Sequence, residues 1–149
     1  MSLDWTDRPT DHAGSKVLGL ADCHVCLRGR TIGRIGFLRA GAVEIFPVNY
    51  GLVGSTIVFK TSDGTKLGAV LDLAPVTFEI DGVGPPATAG TAWSVVVKGV
   101  AGPVGDGFTA ADLDSGPAAP LLPSAAAQGR WVAIRADEIS GRALLAVPT

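Results

Sequence analysis

Along the first third of the chain, apolar positions change their spacing from helical to alternating. Leu20, Cys23 and Leu27 share a face at helical spacing, predicting a short helix over Leu20–Leu27, with Gly29 and Gly33 bracketing its exit. Ile35–Leu38 then reads as a strand, Ala40-Gly41 as a hairpin turn, and Val43–Tyr50 and Thr56–Thr61 as two further strands separated by Gly51–Ser55. Lys66, Leu67, Ala69, Val70 and Leu71 fit a short helix, and Pro75 restarts an extended run through Asp81. Trp93–Val100 is the clearest strand: Trp93, Val95 and Val97 face one way, Ser94, Val96 and Lys98 the other. Residues 110–128 are rich in Ala, Pro and Ser, with a short helix expected at Ala110–Leu113, and Trp131–Ile134 gives the last strand. Residues 1–18 are polar and irregular and read as an arm. Six short strands with small helices predict a β-barrel or sandwich.

Composition narrows the class. Hydrophobic residues make up 47% of the 149 and Asp, Glu, Lys and Arg only 17%, which excludes a disordered chain and fits one domain. The net charge of -2 gives no electrostatic reason to expect nucleic acid. So few charges leave apolar surface for an oligomer to cover. No apolar run is long enough for a membrane helix, and Met1-Ser2-Leu3-Asp4-Trp5 lacks the basic start and apolar core of a signal peptide. A cytoplasmic location follows as the expectation, with Cys23 and Cys26 reduced.

Candidate chemistry concentrates in Ile57–Leu67. This stretch reads as a strand ending in a polar turn with hydroxyls and two lysines before a helix. Backbone N–H groups at a helix start and nearby ammonium groups favour a phosphate; a solvated turn carrying two lysines is the alternative. Pro47 within a strand implies an edge, bulge or strand end. Asn49 beyond it can bond the edge of a heteroaromatic ring or cap its own turn. Trp93 is either core or a wall for a flat ring, with Ser94 beside it. Arg135 and Arg142 lie near Asp137 and Glu138 and form local ion pairs or add charge to a phosphate site. Cys23-His24-Val25-Cys26 lacks the second ligand pair of a zinc site and the setting of a redox motif, so packed thiols are expected. No hydrolase elbow or paired carboxylate stands out.

The order of these segments resembles the pyridoxamine-phosphate-oxidase-like family of flavin-binding split barrels, in its small bacterial FMN-binding or nitroreductase-like branch. The matching landmarks are Cys23, Gly33-Arg34-Ile35-Gly36-Phe37, Phe46-Pro47-Val48-Asn49-Tyr50 and Val58-Phe59-Lys60-Thr61. They continue through Gly64-Thr65-Lys66-Leu67, Val76–Asp81, Trp93–Gly99 and Ile139-Ser140-Gly141-Arg142, covering about residues 15 to 145.

The resemblance implies a six-stranded antiparallel split β-barrel with short peripheral helices, mainly β, over residues 19–149. It also implies a homodimer with FMN at the subunit interface. Lys60, Thr61, Thr65 and Lys66 match the phosphate contacts, and Val48, Asn49 and Tyr50 the strand end bordering the isoalloxazine. Trp93 and Ser94 match a strand start that meets the ring or ribityl chain from the adjoining structure. The implied activity is an FMN-dependent oxidoreductase acting by hydride or electron transfer on a small molecule, with no catalytic side chain or metal assigned. A non-catalytic barrel binding FMN, haem or the deazaflavin F420 is the alternative. Lys60 stands where many relatives carry arginine, and Leu122-Pro123-Ser124 offers no late-loop tryptophan. Equivalents of the basic and histidine contacts to pyridoxine phosphate are also missing, which argues against vitamin B6 synthesis.

Overall fold

The computed structural model describes residues 2–61, 71–104 and 130–145. Its elements in chain order are β1 (Lys16–Leu18), α1 (Leu20–Arg28), β2 (Ile32–Arg39) and β3 (Ala42–Val53), then β4 (Thr56–Lys60), β5 (Pro75–Val83), β6 (Ala92–Pro103) and β7 (Trp131–Leu144). Alternation dictates which side chains enter the core. Ile35 and Phe37 of β2, Val76, Phe78 and Ile80 of β5, and Trp93, Val95 and Val97 of β6 are all buried. The β2–β3 turn is set by local chemistry. Ala40 and Gly41 have φ of 49° and 81°, the left-handed pair that a tight two-residue hairpin needs between the Arg39–Ala42 partners.

Every strand pairing is antiparallel. The hydrogen bonds run from β7 to β4, β3, β2, β5 and β6, and β6 pairs back onto β7. Six strands therefore form a nearly closed ring, and β1 adds a seventh by pairing Lys16–Leu18 with Gly141–Ala143 of β7. One core fills the ring, with Phe59, Phe78, Ile35, Ile80 and Ile134 among its fully buried side chains. α1 lies across one end through Cys23, Cys26 and Leu27. Asp22 accepts a 3.1 Å bond from the Gly19 N–H and so satisfies one donor at the helix start.

Three expectations change. Among the described residues there are seven strands rather than six, because β1 is short and gains its partner only from a distant strand. Residues 135–144, beyond the last strand expected at Trp131–Ile134, continue β7 along β6. The segment read as an arm is packed into the fold, with Trp5 only 1% exposed and Leu3 bonded to the loop at Pro86. α1 is the one helix among the described residues; Ala110–Leu113 and all of the 66–71 segment except Leu71 lie outside them.

Candidate functional site

At the end of β4, Ile57 and Phe59 enter the core, so strand alternation turns Lys60 to the outer face. Lys60 pairs in register with Trp131, and its ammonium stands 5.8 Å from the centre of the Trp131 ring. That distance is within cation–π range, which orients the Lys60 side chain across β7. Thr61 closes the strand. Its N–H donates to the Arg130 carbonyl at 2.8 Å, and its hydroxyl accepts the Arg130 N–H at 3.2 Å. Thr61 is therefore a latch between β4 and β7, with its polar atoms committed to backbone. Thr65 and Lys66 lie outside the described residues.

On the neighbouring strand, Tyr50 pairs with Phe59, which brings Asn49 level with Lys60. Tyr50 points inward, is 2% exposed, meets Phe78 edge-on at 4.9 Å, and donates a 2.6 Å hydrogen bond to the Leu27 carbonyl. Burial pushes its phenol well above the ordinary range, so it stays a neutral donor. It ties α1 to the sheet, satisfying a carbonyl in the last turn of the helix. Asn49 and Lys60 are left on the opposite, outer side; Val48 follows Tyr50 inward and packs against the core.

Trp93 and Ser94 stand elsewhere. Ser94 pairs with Arg142 near the far end of β7, whereas Lys60 pairs with Trp131 at its beginning. These partners are eleven positions apart along β7. In extended strand that is roughly 36 Å, far longer than a contact between side chains. Trp93 is buried, its indole N–H donates to the Gly84 carbonyl at 3.2 Å, and the Arg30 guanidinium covers its ring at 5.1 Å. Ser94 is half-buried on the outer face. One chain thus brings Asn49, Lys60 and Thr61 together and keeps Trp93 and Ser94 apart from them.

The Cys-x-x-Cys pair resolves as packing. Both thiols are fully buried and free, and burial raises the Cys23 thiol and pushes Cys26 up to about 12. Neither forms a thiolate at neutral pH. Cys23 rests on Gly141, where an added Cβ would lie 2.8 Å from the sulfur. No cluster of His, Cys, Asp or Glu among the described residues is arranged to hold a metal ion.

Several side chains of consequence lie beyond the sequence reading. Trp131 orients Lys60; its place at a strand start gave no hint of that role. Arg30, just past α1, lids Trp93. Arg142 bonds neither Asp137 nor Glu138 but Asp11, at 3.0 Å through Nε. On the outer face of β2 and β5, Arg34 meets Glu79 at 3.2 Å and Asp81 at 3.4 Å. Partial burial, and then the Asp81 charge, raise the Glu79 carboxyl above its usual range. Beside this cluster a groove of about 770 Å³ runs over Gly36 and Thr77 and is edged by Leu38, Val43 and Ile45, which are 67%, 75% and 67% exposed. No helix among the described residues is long and apolar enough to cross a membrane.

No curated protein matches the chain. Solved structures do. A conserved protein of unknown function from Corynebacterium diphtheriae is 32% identical, with a TM-score of 0.69 over 88% of this chain and 98% of that one. A protein described as a candidate pyridoxamine 5'-phosphate oxidase from Corynebacterium glutamicum is 30% identical, with a TM-score of 0.73 over 87% and 98%. An FAD binding protein from Mycobacterium smegmatis is 27% identical, with a TM-score of 0.65 over 88% and 99%. The family model for pyridoxamine 5'-phosphate oxidase matches residues 20–143, from the start of α1 almost to the end of β7. The chain belongs to the pyridoxamine 5'-phosphate oxidase-like family, as the order of its motifs implied.

Proposed function

We propose that this chain is a homodimeric, FMN-dependent oxidoreductase with a split-barrel fold and its cofactor between the subunits, acting on a small molecule in the cytoplasm. The observation that carries the reading is the separation of two polar sets along β7. Asn49 and Lys60 stand at one end and Ser94 at the other. A single cofactor touching both sets needs two chains. The exposed Leu38, Val43 and Ile45 supply apolar area for the second copy to cover.

The residues fit a flavin phosphate in part. Lys60 brings a charge, and Thr65 and Lys66 follow within six residues of chain. Thr61 has a different task, because its hydroxyl and N–H already serve Arg130. In this reading Lys60 holds the phosphate as a point charge. Asn49 bonds the polar edge of the ring, Val48 backs that strand end, and Ser94 of the second copy adds a hydroxyl. Tyr50, Thr61 and Trp93 keep those groups in place from the interior. When bound, the flavin supplies hydride or electron transfer, and the chain contributes position and hydrogen bonds. Reaction protons exchange with solvent.

The test is flavin-fluorescence titration of the apoprotein with FMN, beside its sedimentation behaviour. Lys60→Ala is expected to weaken FMN about tenfold, the scale of one charge-assisted contact. Unchanged affinity removes Lys60 from the site, and a monomer at saturating FMN removes the shared cleft. Rapid bleaching of bound flavin by a reduced nicotinamide supports the enzyme; inertness supports a carrier.

A second reading keeps the site and changes its occupant to FAD, favoured by the similarity to the mycobacterial FAD binding protein. Mass spectrometry of the cofactor released from purified protein separates FMN from FAD, and from haem or F420.

A further inference from the structure

Beside the start of β6, the outer face of β5, β6 and β7 holds a depression of about 560 Å³. Two rows of side chains form its floor. In one, Ser94 lies between Asp81 on β5 and Arg142 on β7; in the next, Ala92 lies between Val83 and Leu144. Val83 and Leu144 are 66% and 57% exposed, so the second row is an open apolar shelf.

The first row is polar and preset. Arg142 Nε donates to Asp11 at 3.0 Å and Nη1 to the Gly141 carbonyl at 3.0 Å, which fixes the guanidinium plane. Asp11 is itself held by the N–H groups of Ala13 and Ser15 at 3.0 and 2.9 Å. Among the described residues, Nη2 of Arg142 and the Ser94 hydroxyl have no hydrogen-bond partner. Asp81, on the opposite wall, has Arg34 Nη1 at 3.4 Å and still presents acceptor oxygen. Two strand spacings, about 10 Å, separate the donor wall from the acceptor wall.

We infer that this depression binds a small carboxylate with a ring-sized apolar body and a hydrogen-bond donor at its far end. The carboxylate takes Arg142 Nη2 and the Ser94 hydroxyl, the body lies on Val83, Ala92 and Leu144, and the far donor faces Asp81. One guanidinium already paired with Asp11 suits a single negative charge. A phosphate dianion between Asp11 and Asp81 would meet two carboxylates and one shared cation. Binding requires neither Lys60 nor Asn49. Ser94 is common to both sites, so on the flavin reading above the bound carboxylate lies against the cofactor and is its reaction partner.

Calorimetric titration of the full chain with 4-hydroxybenzoate, and with benzoate for comparison, tests this. Both ligands are expected to saturate, with 4-hydroxybenzoate binding more tightly. Arg142→Gln is expected to weaken both about tenfold, and Asp81→Ala to remove the advantage of 4-hydroxybenzoate. Arg142→Gln also breaks the Asp11 pair. Ser94→Ala, which disturbs no bond among the described residues, is therefore the second variant, expected to weaken binding about threefold at an unchanged thermal midpoint. With FMN held saturating, Lys60→Ala should leave the carboxylate affinity intact although it lowers that for FMN, which separates failure of this site from failure of the flavin reading. Absence of saturable binding, or equal affinity in the parent chain and both Arg142→Gln and Ser94→Ala, overturns it.

Discussion

The two ends of β7 are built differently. Near Gly141–Ala143 the strand is paired on both edges, with β1 and with β6, and Cys23 packs against Gly141. Asp11 holds Arg142 there, while Arg8 clamps Asp22 of α1 through bonds of 2.9 and 3.1 Å. At the Trp131 end, β4 and β6 supply the edges, but the strand start is secured by the Thr61–Arg130 latch and by the contact of Lys60 with Trp131. One end is fixed by many mutually supporting contacts that leave little room for change. At the other, the described residues show the Thr61–Arg130 latch and the Lys60–Trp131 contact, the latter made by the cationic group of the proposed phosphate site.

The sharpest way to break this contrast is to overfill the crowded end. In Gly141→Ala the new methyl would lie 2.8 Å from the Cys23 sulfur and 3.1 Å from Leu18. Overpacking of this kind costs about 1–3 kcal/mol, read as a lower urea midpoint. Adding Cys23→Ala should restore part of the loss, because the two sites share one space. Full stability of the single variant would mean that this end is loosely packed after all.

The latch predicts a smaller effect. Thr61→Val keeps the shape and removes the hydroxyl bonds to Arg130, a loss of about 1 kcal/mol by the same assay. A loss as large as that of Gly141→Ala would equalise the two ends.

Acid sharpens the comparison with the smallest effect at neutral pH. Bonds from Arg8, first, hold the Asp22 carboxyl below its usual 3.8, and the Ser15 N–H does most to lower Asp11. A lowered folded value means stability that is present above the unfolded value near pH 4 and is lost as pH falls through the folded one. Hydrogen exchange of residues 2–18 should therefore quicken below about pH 4, ahead of that in β4. Arg8→Gln should flatten the Asp22 part of this dependence. Simultaneous loosening of both regions would count against a separate acid-sensitive clamp.

Much of the fold was legible because alternation and turn chemistry are local. β2, the hairpin at Ala40-Gly41 and the inward set Trp93, Val95 and Val97 all follow from neighbours in sequence. The second half of β7 was hidden by a bulge. Glu138 pairs with Lys98 but Ala136 with Gly99, which leaves Asp137 as an extra residue that breaks the period of two. The exposed run from Arg135 to Glu138 therefore resembles a tail. In the site, the residue types at Asn49 and Lys60 were readable, while the commitments of their neighbours were not. The Tyr50 hydroxyl finds a carbonyl 23 residues away, Thr61 an amide 69 away, and Arg142 a carboxylate 131 away. Such partners follow from topology, which no local pattern encodes.

A strand that joins β1, β4 and β6 also dictates an order of events during synthesis. Ribosomes make β7 after every strand it joins, so the open edges of β1, β4 and β6 must wait for it. Closure over such long sequence separations is slow, and waiting edges are templates for pairing with other chains. For this chain the hazardous interval is the one before β7 emerges, and a ribosome stalled just before Trp131 would present those edges to its neighbours.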